Sequence, residues 1–172
     1  RHKYPNVYIT SFQLVLNAQA WLHQDNSNVG PSITLALGSM FGGILWEHCT
    51  TDFGLVLQTL PFGEWCMCDG SNPHAVLPFF GQRCAIIGYV HASIYTSQAR
   101  QYMDELTSLG FNLPPDAGTP KAFTTSHALR QRQLHQAWDA YTQECQQAAD
   151  AFTNHRKDMQ TALSTGRIAG RP

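Results

Sequence analysis

The chain has 172 residues, of which 43% are apolar and 13% are charged. This length suits one domain with a sizeable core that needs no disulfide or metal for support. The four Trp, six Tyr and nine Phe exclude a disordered chain. A formal net charge of −1 gives no overall attraction to nucleic acid or to an anionic membrane.

Basic residues are unevenly distributed along the chain. Between Lys3 and Arg83 there is no Lys or Arg. The acidic residues of this stretch are Asp25, Glu47, Asp52, Glu64 and Asp69. Because nothing here can neutralise a phosphate, nucleic acid is not the expected partner. We expect the stretch to be buried against the rest of the fold or inside a larger assembly.

The first part of the chain is predicted to contain a strand and then a helix. Over residues 8–22 apolar side chains at even positions alternate with polar ones, which indicates a strand whose even-numbered face is buried. A helix beginning near Ser11 is the competing interpretation. Residues 31–46 are predicted to be a buried helix, in which Gly38 and Gly42 allow a neighbour to approach closely. The glycines, a proline and the missing basic flank argue against a membrane span here.

The middle of the chain is predicted to form a sheet followed by a short helix. Residues 52–60 and 64–68 indicate short strands, and residues 84–95, apolar on both faces, indicate a central strand. A helix capped by Ser97 is expected to end at Gly110. These elements predict an α+β fold: a mainly antiparallel sheet with helices packed on one face, plus a long C-terminal amphipathic helix.

The C-terminal part carries the clearest pattern. Residues 112–124 hold three prolines and are predicted to link an α+β body, residues 1–111, to a helical segment with a basic tail, residues 125–172. Over residues 126–163 apolar side chains recur at steps of three and four, which predicts a long helix with one narrow apolar seam. The seam consists of Leu134, Trp138, Tyr141, Cys145, Ala148, Phe152 and Met159.

The length of this helix suggests the function. A helix on the order of 55 Å long is more than a domain of this size needs as a cap. We therefore expect a non-enzymatic binding or assembly module, a subunit of a larger complex, that associates through its helix with a second copy or with another protein. Bulky seam residues favour an antiparallel coiled coil or a larger bundle. Packing of the helix on its own body is the alternative use of the seam.

A Cys/His-rich stretch in the middle of the chain supports an alternative function. Cys66 and Cys68 lie two apart on a predicted strand, so both thiols lie on one face and, with Cys49 and His74, provide the four ligands of a zinc site. A thiol nucleophile with a histidine base is also conceivable here. Its candidates are Cys66, Cys68, His48 and His91. The alternative is therefore a small Cys/His-dependent enzyme or a zinc-supported domain, whereas the assembly module needs no cofactor.

The remaining sequence features mainly exclude enzyme classes and bear on the compartment. The chain contains no glycine-rich nucleotide loop, no H-E-x-x-H and no G-x-S-x-G, which argues against nucleotide chemistry and the common hydrolases. Five cysteines at spacings unlike a secreted disulfide framework, and the lack of an N-x-S/T sequon, favour a reducing compartment such as the cytoplasm. No signal peptide is recognised, and a start at Arg1 is consistent with a fragment or a processed product.

Overall fold

The structure, a computed structural model, describes Tyr4 and residues 7–51, 54–57, 63–123 and 127–164. For residues 49–51, 54–57 and 163 it describes the backbone only. The strands are β1 (Ser11–Leu16), β2 (Ser32–Gly42), β3 (Leu45–Thr51), β4 (Gly54–Leu57), β5 (Trp65–Cys68), β6 (His74–Val76) and β7 (Phe79–Tyr89). The helices are α1 (Met103–Ser108) and α2 (His127–Ser164), with 3₁₀ turns at Ala92–Tyr95 and Ser97–Tyr102.

Two antiparallel sheets share one long bent ribbon. The four-stranded sheet has the order β1-β7-β2-β5, and the three-stranded sheet has the order β4-β3-β6. β2 leads into β3 and β6 leads into β7, so the same two chain segments pair in both sheets. The pairing continues through the bend, where Gly43 N–H donates to Pro78 O at 3.2 Å and Leu77 N–H donates to Ile44 O at 2.9 Å. The fold is α+β with an antiparallel sheet and a long C-terminal helix, as predicted.

The main core lies where α2 packs on the three-stranded sheet. Ala137 and Tyr141 of α2, exposed by 0% and 4%, contact Trp46, Ala75 and Leu77. Trp46 is the largest side chain that is fully buried among the described residues. A helix can come close to a ring of this size only where its own side chain is small, so alanine at 137 lets the helix and the sheet meet.

The C-terminal half of α2 reaches the far end of the four-stranded sheet. The ring of Phe41 lies 5.3 Å from Phe152 and 4.3 Å from His155, stacked on the latter. The helix is therefore held at two places along its length, which explains why 38 residues without Pro or Gly stay one continuous helix on a small body. None of the described helices combines the length and the apolar character that crossing a bilayer requires.

The prediction of a helix over residues 31–46 is wrong. β2 occupies most of this stretch, and β3 begins at Leu45. Gly38 and Gly42 adopt φ angles of +124° and +80°, which residues with a side chain rarely adopt. A Cβ at Gly38 would overlap the backbone carbonyl of Gln82 on the neighbouring strand. The glycines do serve a close approach, but it is between two strands and not between two helices.

The first strand is shorter than predicted and faces the other way. β1 covers Ser11–Leu16 in place of residues 8–22. Its even-numbered side chains Phe12, Leu14 and Leu16 are 57%, 63% and 65% exposed, although the alternation predicted that they are buried. Alternation shows which side chains share a face, but the rest of the chain decides which face it covers.

The strands predicted in the middle of the chain agree with the structure in part. β5 matches residues 64–68 closely, and β4 lies inside residues 52–60, of which only residues 54–57 are described. β7 is central, between β1 and β2, as its apolar character predicts. It ends at Tyr89, however, and the expected strand up to residue 95 is replaced by a 3₁₀ turn.

Between β7 and α1 the chain forms 3₁₀ turns, and α1 is short. Ser97 does not cap a helix, because the chain first forms a 3₁₀ turn and α1 begins only at Met103. Gly110 has a φ of +86° and ends α1 in the expected way, with Phe111 N–H donating to Leu106 O at 3.1 Å.

The proline-rich segment contains no helix or strand over its described residues, 112–123. It is nevertheless attached to the body, because Gly118 N–H donates to Ile94 O at 2.7 Å and Lys121 N–H donates to Tyr95 O at 3.1 Å. The basic tail after residue 164 lies outside the described residues.

The contact between α2 and the three-stranded sheet can be tested at Ala137. We expect Ala137→Glu to lower the free energy of unfolding by on the order of 3 kcal/mol, because it forces a carboxylate into a fully buried contact. Urea unfolding followed by circular dichroism measures the change. Ala149→Glu is the control, since Ala149 is exposed on the same helix and should alter stability by no more than about 0.5 kcal/mol. Equal stability of the two variants would contradict the packing described above.

Candidate functional site

The two sheets line a cavity of about 470 Å³ whose walls carry both polar and apolar side chains. Its walls include Ser32, Cys68 and Arg83, which lie on the face of the four-stranded sheet that lines this cavity, called the inner face below. Ser32 and Arg83 are only 2% and 4% exposed. Arg83 Nε donates to Gly43 O at 3.2 Å, whereas Ser32 Oγ has no hydrogen-bond partner among the described residues. A buried hydroxyl without a partner has lost its hydration, so this cavity suits a polar occupant.

Three side chains converge at one side of this cavity: His23, Asp25 and His74, called the His/Asp cluster below. His23 and His74 face each other in an isolated antiparallel bridge with backbone hydrogen bonds of 3.0 and 2.9 Å. His23 Nε2 lies 3.7 Å from Asp25 Oδ1, and His74 Nε2 lies 3.9 Å from Asp25 Oδ2. One ligand atom from each residue lies within 4.8 Å of the other two, and the described side chains contain no other such group of three.

The cysteines predicted as zinc ligands occupy a different position. Cys66 and Cys68 pair with Thr34 and Ser32, so they share the inner face of the sheet, as their spacing predicts. Cys66 is 7% exposed and its thiol donates to the Glu64 carbonyl at 3.6 Å. Among the described side chains, no group of three ligand atoms within 4.8 Å of one another contains Cys66 or Cys68. The Cys49 side chain lies outside the described residues.

The surroundings of Cys68 disfavour its thiolate. Burial raises the pKa of Cys68 to about 12, and the negative charges of Glu47, Asp69 and Asp25 act in the same direction. A thiol with this pKa stays protonated at neutral pH, and the protonated form is a weak nucleophile and a weak metal ligand. The site therefore gives Cys68 no support as a catalytic nucleophile.

The two histidines predicted as bases have structural contacts. His48 is 9% exposed, and its ring lies 5.9 Å from that of Trp46. His91 caps the first 3₁₀ turn, where its Nδ1 accepts the Ser93 N–H at 3.1 Å. His91 also borders the cavity, at the end where β7 has stopped. Both side chains are thus engaged in packing or capping, which is the common role of histidine in a fold.

Sequence reasoning included His74 but missed His23 and Asp25. Both lie in an extended segment before β2, and two residues apart in such a segment they project to the same side. The H-x-D spacing was the available signal, but it is short and common, and only the pairing of His23 with His74 gives it significance.

The opposite face of the four-stranded sheet is apolar and is called the outer face below. Leu14 lies opposite Ile86, and Ile86 lies opposite Leu35, so all three side chains share this face. The same registers place further residues there: Phe12, Leu16, Ile33, Leu37, Met67 and Cys84. Leu37 and Met67 are 37% and 43% exposed, in addition to the exposed side chains of β1. None of the residues named for the outer face is charged.

The residues of the predicted helix seam divide into three groups by exposure. Tyr141 is buried on the body and Trp138 and Met159 are 57% and 44% exposed. The seam residues that are half-buried are Leu134, Cys145, Ala148 and Phe152. Ala137, which the seam omits, is fully buried. Much of the stripe therefore lies against the protein's own body, and Trp138 is the largest side chain that it leaves in solvent.

The chain was compared with known proteins. No family model matches it, and no curated protein does either. The geometry described above therefore has to carry the functional argument alone.

The environment of Cys68 predicts a slow thiol. With a pKa of about 12 instead of the ordinary 9.0, its thiolate fraction at pH 8 is lower by about a factor of 1,000. We expect iodoacetamide to alkylate Cys68 at least 100-fold more slowly than Cys84 on the outer face, as measured by peptide mass spectrometry over time. Since the pKa is raised, the rate at Cys68 should still increase as the pH rises from 8 to 10. Equal alkylation rates at the two cysteines would overturn this account.

Proposed function

We propose that this protein is a non-enzymatic assembly module that associates with a second copy of itself through the outer face of the four-stranded sheet. The observation that supports this is the contrast between the side chains on the two faces of the sheet. Its inner face carries Ser32, Thr34 and Arg83, all at most 5% exposed, while its outer face presents Leu14 and Leu16 to solvent. A single-layer sheet normally buries its apolar face and exposes the polar one.

Burial of the outer face is favourable. Leu14 and Leu16 are more than 60% exposed, and covering each would contribute about 1–2 kcal/mol through removal of apolar surface from water. Phe12 is 57% exposed even though its ring lies 5.9 Å from that of Phe111. Contiguous apolar patches of this kind are uncommon on monomers and mark surfaces that a partner covers.

The properties of the outer face favour a second copy as the partner. A face without charged side chains can oppose its own copy without like-charge repulsion, and a two-fold axis brings the same patch from each subunit together. Two such sheets then stack face to face at about 10 Å, as in a β-sandwich. From strand length and spacing the face covers on the order of 500 Å², so a dimer buries about 1,000 Å² in total. This is near the lower limit for a specific interface, and we expect reversible association in the micromolar range.

Helix α2 contributes less to this interface than the sequence predicts. Its buried stripe, with Ala137 and Tyr141 at the centre, is occupied by contacts with the body. Trp138 remains exposed and is the part of the predicted seam that a partner can still contact. Association through the helix is therefore the competing form of the same function. The Cys/His-dependent enzyme has little support, because Cys66 is buried and the thiol of Cys68 stays protonated.

Sedimentation equilibrium from about 1 to 100 μM tests the proposal. The unmodified chain should show a monomer–dimer equilibrium, and Leu14→Asp should weaken it by at least 10-fold because it places two carboxylates in an apolar interface. The fold should tolerate this change, since Leu14 is 63% exposed.

Two further variants make the result specific. Gln13→Asp adds the same charge to the same strand but on the cavity side, and it should leave association unchanged. Trp138→Ala tests the helix. A chain that stays monomeric at all concentrations, or association that is lost in Trp138→Ala but kept in Leu14→Asp, would overturn assembly through the outer face.

A further inference from the structure

We propose that the His/Asp cluster is a binding site for a first-row divalent transition-metal ion, with Zn²⁺ as the expected ion. This site uses none of the cysteines, and it lies on the cavity side of the four-stranded sheet, away from the outer face. Metal binding and assembly are therefore separate properties, and either can fail without the other.

The tautomers of the two histidines leave the correct atoms free for a metal. His23 Nδ1 lies 2.6 Å from the Trp21 carbonyl oxygen, and His74 Nδ1 lies 2.8 Å from that of Asn72. Because a carbonyl oxygen only accepts hydrogen bonds, each Nδ1 must carry the proton and each neutral ring has its lone pair on Nε2. This is the arrangement that metal-binding histidines adopt, with the second nitrogen held by the backbone.

The spacing between ligand atoms fits an ion better than it fits direct contact. The separations of 3.7 and 3.9 Å between Nε2 and the carboxylate oxygens are too long for hydrogen bonds. Ligands around a tetrahedral zinc ion stand about 3.4 Å apart, given metal–ligand bonds of about 2.1 Å. A movement of less than about 1 Å brings all three atoms into the first coordination sphere.

The backbone around the cluster holds its members in place. The reciprocal bonds between His23 and His74 fix the two histidines, and Asp25 N–H donates to the Gly70 carbonyl at 2.8 Å. Asn28 Nδ2 donates to Asp25 Oδ2 at 2.7 Å, which orients the carboxylate and leaves Oδ1 beside His23. A Cβ at Gly70 would lie 2.6 Å from Asp25 Oδ2, so glycine is required for the carboxylate to occupy this position.

The electrostatic surroundings favour a cation. The stretch from residue 4 to residue 82 has no Lys or Arg, and Asp69 N–H donates to Glu47 Oε1 at 3.1 Å, so these two acidic residues are adjacent. Glu47 is 2% exposed, and its Oε2 has no hydrogen-bond partner among the described residues.

The donor set selects the kind of ion. Two imidazoles and one carboxylate suit Zn²⁺ and its neighbours in the first transition row, whereas Ca²⁺ and Mg²⁺ require oxygen ligands throughout. Three protein ligands leave at least one coordination position open. That position adjoins the cavity with Ser32, so a water molecule or a small polar ligand can complete the sphere. His23 and Asp25 are 43% and 37% exposed in their side chains, which gives the ion a path from solution.

Titration calorimetry with ZnCl₂ on the full, tag-free chain after treatment with a chelator tests this site. We expect one Zn²⁺ per chain with micromolar or tighter affinity. His23→Ala and Asp25→Asn should each lower the affinity at least 100-fold, and Gly70→Ala should lower it about 10-fold by displacing the carboxylate. His23 and Asp25 are partly exposed, so these variants should fold, which circular dichroism checks.

Controls separate this site from the cysteines and from chance binding by other histidines. His135→Ala, on the exposed side of α2, and the double variant Cys66→Ser with Cys68→Ser should bind Zn²⁺ as the unmodified chain does. Co²⁺ should give visible d–d absorption without a thiolate charge-transfer band. At 100-fold excess over its Kd, Zn²⁺ should raise the Tm by about 5–10 °C, and this shift should vanish in Asp25→Asn.

The following results would contradict the metal site. No binding to the unmodified chain, or unchanged binding in both His23→Ala and Asp25→Asn, overturns the site. Loss of binding only in the cysteine double variant would move the metal to the thiols. Sedimentation equilibrium of His23→Ala and Asp25→Asn separates failure of the metal site from failure of the assembly proposal, because both variants should associate like the unmodified chain.

Discussion

The bend in the ribbon formed by β2–β3 and β6–β7 is the constraint on which the rest of the structure depends. At the bend the pairing is carried by Gly43 with Pro78 and by Leu77 with Ile44, so the two segments stay hydrogen-bonded through the turn. The positive φ of Gly42 and Gly43 makes the sharp change of direction accessible without side-chain strain. One ribbon thereby forms the centre of two sheets and folds one of them over the other.

The bend determines which side chains meet. On one side of the three-stranded sheet it directs Trp46 towards α2, and the alternation of the strand then directs Leu45 to the cavity. His74 and Val76 project into the cavity for the same reason. The four-stranded sheet contributes its polar face to this space and leaves its apolar face outside. A polar interior costs free energy when its groups lack partners, as Ser32 Oγ does, and the exposed apolar face adds to that cost. Both costs are reduced when a second copy covers one face and a metal with its water occupies the other side.

The two proposals place different chemistry on the two faces of one sheet. The outer face is wide, apolar and uncharged, which suits a protein surface and not an ion. The His/Asp cluster is compact, partly open to solvent and built from two imidazoles and one carboxylate, which suits a cation and not a protein surface. β1 and β7 contribute to both sides through alternate residues, such as Leu14 outwards and Gln13 inwards.

The amino-acid sequence by itself determined the elements whose signals are local. The 3-and-4 spacing of apolar residues and the absence of Pro and Gly specify α2, and Gly110 specifies the end of α1. The apolar character of residues 84–95 indicates a central strand, although the strand ends at Tyr89. Only the tertiary structure decided which face of β1 is covered, because alternation is symmetric until another layer takes one side. It also decided that residues 31–46 form β2, the bend and the start of β3, since an apolar, glycine-containing stretch fits a helix and a bent strand equally well until the partner strand β7 is present. His74 is far from both His23 and Asp25 in the sequence. They meet through a single backbone bridge, and no pattern within a short window records such a contact.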